Sequence, residues 1–164
     1  MFSHTRRPLK GLVILTGILA AGATLADSTQ NAPGAACVAI NGASLTVRDD
    51  GEAENRTASL VTAICPAERP IGTGTTTTLS GRVFVVDQST TSEVCCRAVS
   101  KNPLGAKVTG AWQCSTGSSA NYQALDLASL SDTYTFSSFY LECQVPALSG
   151  GNASRIQMYR ATQQ

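Results

Sequence analysis

The most telling residue in this sequence is one it nearly lacks. Its single histidine is His4, inside a stretch that reads as an export signal, so the mature chain is expected to hold none. Without histidine, Ser-His-Asp and Cys-His catalysis are excluded, as are zinc, copper and haem sites built on imidazole. General acid–base work would fall to carboxylates, lysine or tyrosine. No run of clustered Lys and Arg is present in the mature part, which removes the electrostatic footprint of nucleic acid or an anionic membrane as partner. Paired Cys-x₂-Cys knuckles are missing too, and with them a thiolate zinc site. No nucleophile motif is found, and no cofactor is expected. Outside the signal, no segment keeps an apolar period of 3.6 over three turns, so amphipathic helices are not expected.

What is present begins with an address. Arg6, Arg7 and Lys10 precede a nearly unbroken apolar run from Gly11 to Leu25, small residues gather at Ala20, Ala21, Gly22 and Ala23, and Ala26 stands directly before Asp27. Charge, apolar run and small-residue site in that order mark a secretory signal peptide over residues 1–26, cleaved after Ala26 or, as second choice, after Ala23. The run is short of the ~20 residues that span a bilayer comfortably. Thr5-Arg6-Arg7 is similar to a twin-arginine signal, but that route carries proteins folded in a reducing cytosol, and six cysteines favour the general route. No Leu-x-x-Cys closes the run and Cys37 lies too far downstream, so a lipid anchor is not expected. The expected location is secreted or periplasmic. Cleavage leaves 138 of the 164 residues, the size of one domain. Twelve basic residues against eleven acidic become nine against eleven, a mildly acidic chain.

Cys37, Cys65, Cys95, Cys96, Cys114 and Cys143 all fall in the mature part. An even count in an exported chain points to as many as three disulfides. Neighbours on a strand face opposite sides, so Cys95 and Cys96 should find different partners. Cys96 is in phase with Val94 and Ala98, and Cys114 with Trp112, which suggests Cys96–Cys114 across a hairpin. Cys65 and Cys143 each end an apolar strand near a proline and form the next pair, leaving Cys37 for Cys95.

Residues 27–36 read as a flexible lead-in, with Pro33 and Gly34 among small polar residues. Short extended segments follow, separated by turn chemistry: Ser44–Arg48, Ser59–Cys65 stopped by Pro66, Leu79–Asp87, Glu93–Val99, Lys107–Cys114, Thr133–Val145 and Ser154–Ala161. In the last of these Ile156 and Met158 alternate against Arg155, Gln157 and Tyr159. Tyr122–Leu130 fits a strand or a short helical turn. Asp50-Gly51 and Asn102-Pro103-Leu104-Gly105 are turns, and Ser115–Ala120 is a loop. Strands at this spacing predict a single all-β domain over 37–164, an antiparallel β-sandwich of jelly-roll or immunoglobulin-like type, with a closed barrel as the alternative.

Several of these features recur in one order: an apolar strand closing on Cys65-Pro66, then Val83-Phe84-Val85-Val86-Asp87, then a cysteine at Cys95 or Cys96. Cys143-Gln144-Val145-Pro146 and Ser154-Arg155-Ile156 leading to Tyr159 complete it. Over roughly residues 55–160 the chain resembles a group of small uncharacterised secreted bacterial β-sandwich proteins. The resemblance implies export and a disulfide-linked sandwich, and carries no activity.

The chemistry-bearing groups are few. Asp49-Asp50-Gly51-Glu52-Ala53-Glu54 is the one dense acidic run; it lacks the acid/amide alternation of a calcium loop and is flanked by Arg48 and Arg56, so a solvated turn is the favoured reading. Asp87, Glu93 and Glu142 are the candidates for a hydrolytic carboxylate pair. Trp112, Tyr122, Tyr134, Tyr140 and Tyr159 offer aromatic faces for a sugar, but Tyr134, Phe136 and Tyr140 share one strand parity and Trp112 is in phase with Cys114, as core residues would be. Thr75–Thr78 suits a loop entering a strand. Asn55-Arg56-Thr57 and Asn152-Ala153-Ser154 match the glycosylation pattern, idle in a bacterial chain. The expected function is a non-catalytic binding or structural module, with carbohydrate or a surface protein as the candidate partner. The alternatives are a carboxylate-dependent hydrolase and an inhibitor-like domain acting through Asn102–Lys107 or Ser115–Ala120.

Overall fold

The computed structural model describes residues 28–68, 77–134 and 136–163. The expected signal over 1–26, and Thr75 and Thr76 of the threonine run, lie outside them. The strands are β1 (Ser28–Pro33), β2 (Val38–Ala39), β3 (Thr46–Val47), β4 (Ala53–Glu54), β5 (Val61–Ala67), β6 (Thr77–Val86), β7 (Cys95–Lys101), β8 (Lys107–Thr109), β9 (Gln113–Cys114), β10 (Tyr122–Asp132), β11 (Ser138–Val145) and β12 (Arg155–Gln163). A 3₁₀ turn, Gly34–Ala36, is interposed after β1. Among the described residues no helix is long and apolar enough to cross a membrane.

Two antiparallel six-stranded sheets face each other. The first runs β10-β6-β12-β4-β3 with β1 also on β12; the second runs β2-β5-β11-β7-β8 with β9 also on β7. Alternation sends Val83, Val85, Leu125, Ile156, Tyr159 and Ala161 inward from the first sheet, and Ala63, Cys65, Cys96, Ala98, Phe139, Leu141, Cys143 and Val145 inward from the second. This is the expected antiparallel β-sandwich. Tyr159, 1% exposed, reaches across it and donates its hydroxyl to the Pro66 carbonyl at 2.7 Å; burial raises its pKa.

Of the 27–36 segment, the described residues 28–36 are not a loose lead-in. Ser28–Pro33 pairs along its whole length with β12, because the outer half of β12 would otherwise leave an unpaired ladder. Pro66 does not stop β5 either, since the strand continues to Ala67. Beyond Ile64 the short β2 no longer reaches it, so the proline occupies a free edge where a missing N–H costs no ladder bond. Tyr122–Asp132 is wholly strand. The aromatic strand expected from Thr133 begins only at Ser138. Strand β10 ends at Asp132, which accepts from the Tyr134 N–H at 2.9 Å and the Ser137 hydroxyl at 3.2 Å. Phe136 is therefore exposed, and the core ring from this strand is Phe139. Trp112 is half-buried outside the core cluster, with the Arg97 guanidinium 4.3 Å above its ring.

All six cysteines are bonded, in none of the three expected pairs. The bridges are Cys37–Cys65, Cys95–Cys114 and Cys96–Cys143. Opposite-facing Cys95 and Cys96 do take different partners. The hairpin register sets Cys95 opposite Cys114 and Cys96 opposite Gln113, one residue from the register expected, and a one-residue slip changes face. Cys96 instead lies opposite Cys143, because β11 sits between β5 and β7.

Candidate binding groove

The floor of the site is made by an irregularity in β12. Ile156 pairs with Val85 and Met158 with Phe84, leaving Gln157 as an extra residue between them. Such a bulge resets the alternation. Ile156 faces the core before it and Tyr159 and Ala161 after it, while Met158 turns outward, 37% exposed. Simple alternation pairs Ile156 with Met158 on one face, and the bulge overturns that expectation.

Met158 then falls in a register row that crosses four strands: Ala124, Phe84, Met158 and Pro33. Tyr122, 63% exposed, stands beside it with its ring centroid 6.0 Å from that of Phe84 and the planes at 62°. Edge-to-face geometry of this kind suits the ring quadrupoles. Together Pro33, Phe84, Tyr122 and Met158 line an open groove of about 560 Å³, with Asp50, Glu52 and Gln157 on its rim.

The rim comes from the β3–β4 hairpin. Its turn is closed by Arg48 N–H to the Glu52 carbonyl at 2.9 Å and Gly51 N–H to the Arg48 carbonyl at 3.1 Å, and Gly51 takes the positive φ of 85° that the turn requires. Glu52 is held by Arg155 at 2.7 Å and accepts from the Gln157 amide at 2.9 Å. Arg48 lies 3.3 Å from Asp50 and 3.4 Å from Glu54, and Arg56 also pairs with Glu54. The Glu52 N–H holds the Asp50 carboxyl below its ordinary range, outweighing the upward push of desolvation, and Arg48 adds to the effect. Burial pushes Glu54 up, but the guanidinium groups of Arg56 and Arg48 together carry it below its ordinary value. Asp50, Glu52 and Glu54 each face an arginine instead of converging on one point.

The three acids considered for hydrolysis are not brought together. Asp87 is fully buried and accepts four bonds, from Ser89 N–H and Ser154 Oγ on one oxygen and Val94 N–H and Ser115 Oγ on the other. It ties three loops to the end of β6. Glu142 is engaged by Arg97 at 2.8 Å. Glu93 is exposed beside Cys95 and Cys114, whose sulfurs are spent on each other. Asn55 of the first glycosylation pattern is also fully buried, its amide donating to the Ser59, Val145 and Pro146 carbonyls.

Of the groove residues, the aromatic inventory of the sequence contained Tyr122 and its acidic run contained Asp50 and Glu52. Phe84, Met158, Pro33 and Gln157 were missed. Nothing local marks the bulge that aims Met158 outward, and Pro33 lay in the segment read as flexible.

No family model matches the chain, and no curated protein matches it. Among solved structures it is similar to a xylan-binding module, CBM15, at 12% identity and TM-score 0.48, covering 84% of this chain and 97% of that one. It is similar to the C-terminal CBM6 of a laminarinase from Zobellia galactanivorans at 11% identity and TM-score 0.46, covering 82% and 99%. A family two carbohydrate esterase from Cellvibrio japonicus is similar at 8% identity and TM-score 0.47, covering 85% of this chain, which spans 35% of the esterase.

Proposed function

We propose that this chain is a non-catalytic binding module, secreted or periplasmic, that takes a carbohydrate chain in the groove on the outer face of its first sheet. The observation that carries the reading is the outward apolar row, Phe84 and Met158 with Tyr122 beside them, bordered by acceptor groups. The apolar face of a sugar ring packs on aromatic faces, while its hydroxyls need a few placed acceptors at the margin. Asp50, Glu52 and the Gln157 side chain supply these. Three disulfides fit an oxidising compartment outside the cytosol.

The two groove carboxylates suit binding better than hydrolysis. A general acid at neutral pH needs a raised pKa, whereas Asp50 is held low and Glu52 is occupied by Arg155 and Gln157. The test is a glycan array with the exported, disulfide-bonded protein, followed by calorimetric titration of the strongest ligand. Phe84→Ala should weaken binding about tenfold, the loss of one aromatic contact worth roughly 1.4 kcal/mol. A blank array, or an F84A protein that binds like the parent, would refute the reading.

A further inference from the structure

The row next to the apolar one is as regular and carries charge. Asp126, Arg82, Arg160 and Asn31 are register partners across β10, β6, β12 and β1, two residues along each strand from Ala124, Phe84, Met158 and Pro33. That spacing puts the two rows about 7 Å apart on the same outer face. All four polar side chains lie on exposed residues. Arg82 and Arg160 are directly opposite each other on neighbouring strands, a placement in which like charges repel. The row holds a single carboxylate, Asp126, and it sits on the far side of Arg82, 2.5 Å from it. Arg160 is met by a neutral group, the Asn31 side-chain amide oxygen Oδ1, at 2.8 Å.

Two guanidinium groups with only one carboxylate in the row leave one positive charge unmet. Guanidinium forks bind carboxylate and sulfate oxygens in bidentate fashion. The acids on the groove rim, Asp50 and Glu52, lie at the opposite edge of the apolar row and already face Arg48 and Arg155. A polymer laid along the strands over Phe84 would therefore meet acceptors at one end and guanidinium donors at the other.

We propose that the ligand is an acidic polysaccharide, with a carboxylate or sulfate on the unit beyond the stacked sugar seated against Arg160 and Arg82. This rests on the binding-module reading above and names its ligand class. The test compares equal-length fragments of polygalacturonate, of a sulfated galactan and of neutral xylan by calorimetric titration, on the parent and on R160Q, D126N and F84A. The expected result is an anionic fragment bound at least about tenfold tighter than the neutral one, the value of a charge-assisted contact. The two anionic arms decide between carboxylate and sulfate. Arg160→Gln should weaken the anionic fragment by at least about tenfold, more than it weakens the neutral one, and so collapse the preference. Asp126→Asn should widen the preference by freeing Arg82, an opposite sign that a merely structural role would not produce. If neutral and anionic fragments bind alike and R160Q changes nothing while F84A still weakens binding, the acidic-ligand inference fails and the module reading stands. If no fragment binds, or F84A is without effect, both fail.

Discussion

Gly34→Ala adds one methyl group to the most crowded glycine of the described chain. A Cβ built there lies 1.9 Å from the Ile156 carbonyl oxygen and 2.7 Å from its carbon, about 1.4 Å short of an ordinary C···O approach of 3.3 Å. The obstacle is backbone, so no side chain can swing aside. Gly34 does not have a positive φ, so the cost of alanine is steric alone and is slightly offset by a stiffer unfolded chain. Overpacking of this kind costs about 1–3 kcal/mol. For a chain of this length the melting temperature should fall by about 3–12 °C. The clash also pushes on both sides of the groove. Pro33 of the floor precedes Gly34, Ala35 donates to the Gly51 carbonyl at 2.8 Å, and Ile156 borders the bulge. Carbohydrate affinity should therefore drop with stability. Gly110→Ala is the control, since its Cβ would meet nothing closer than 3.5 Å. Differential scanning calorimetry of both variants decides the matter. A G34A protein melting within a degree of G110A would show that the 3₁₀ turn and the bulge are not in contact, and the account of how the groove is held would be wrong.

Removing the disulfides pairwise should rank by loop length and burial. Cys96–Cys143 spans 47 residues, Cys37–Cys65 spans 28 and Cys95–Cys114 spans 19, which corresponds to about 4, 3.5 and 3 kcal/mol of unfolded-state constraint. Cys96, Cys143, Cys37 and Cys65 are all buried while Cys95 and Cys114 are not, so alanine adds a packing loss at the first two bridges and widens their gap to the third; urea midpoints in the reverse order would contradict the assignment. Acid should weaken the fold through Glu54. Its folded pKa lies below the ordinary 4.5, so its contribution is intact above that value and drains away as pH falls through the folded pKa. Urea midpoints should decline below about pH 4.5 in the parent, and more shallowly in Glu54→Gln.

Local chemistry exposed most of the elements. Val83-Phe84-Val85-Val86, Cys95–Val99 and Ser154–Ala161 are apolar or alternating, and punctuation at Asp50-Gly51 and Asn102–Gly105 separates them. The opposition of Cys95 and Cys96 followed from strand geometry alone. What stayed hidden depends on neighbours distant in sequence. The disulfide pairs needed the knowledge that β11 lies between β5 and β7, and the hairpin register needed to be right to one residue. Parity reasoning failed wherever alternation is interrupted: at Gln157 in β12, and between the end of β10 at Asp132 and the start of β11 at Ser138, which leaves Phe136 out and Phe139 in. The groove was legible only in part for the same reason, since its floor exists because one residue of β12 was passed over by the ladder.

The three disulfides share a feature with a mechanical meaning. Each ties a segment to its neighbour within the second sheet or at that sheet's margin, and none enters the first sheet, where the groove lies. One half of the sandwich is thus laced by covalent bonds. The other is held to it by the apolar core and by polar ties such as Tyr159 to Pro66 and Asn55 to Val145. Tension applied through a long polymer gripped on the outer face would load the unlaced half, so the sandwich would yield by parting along its interior, with the laced sheet left whole.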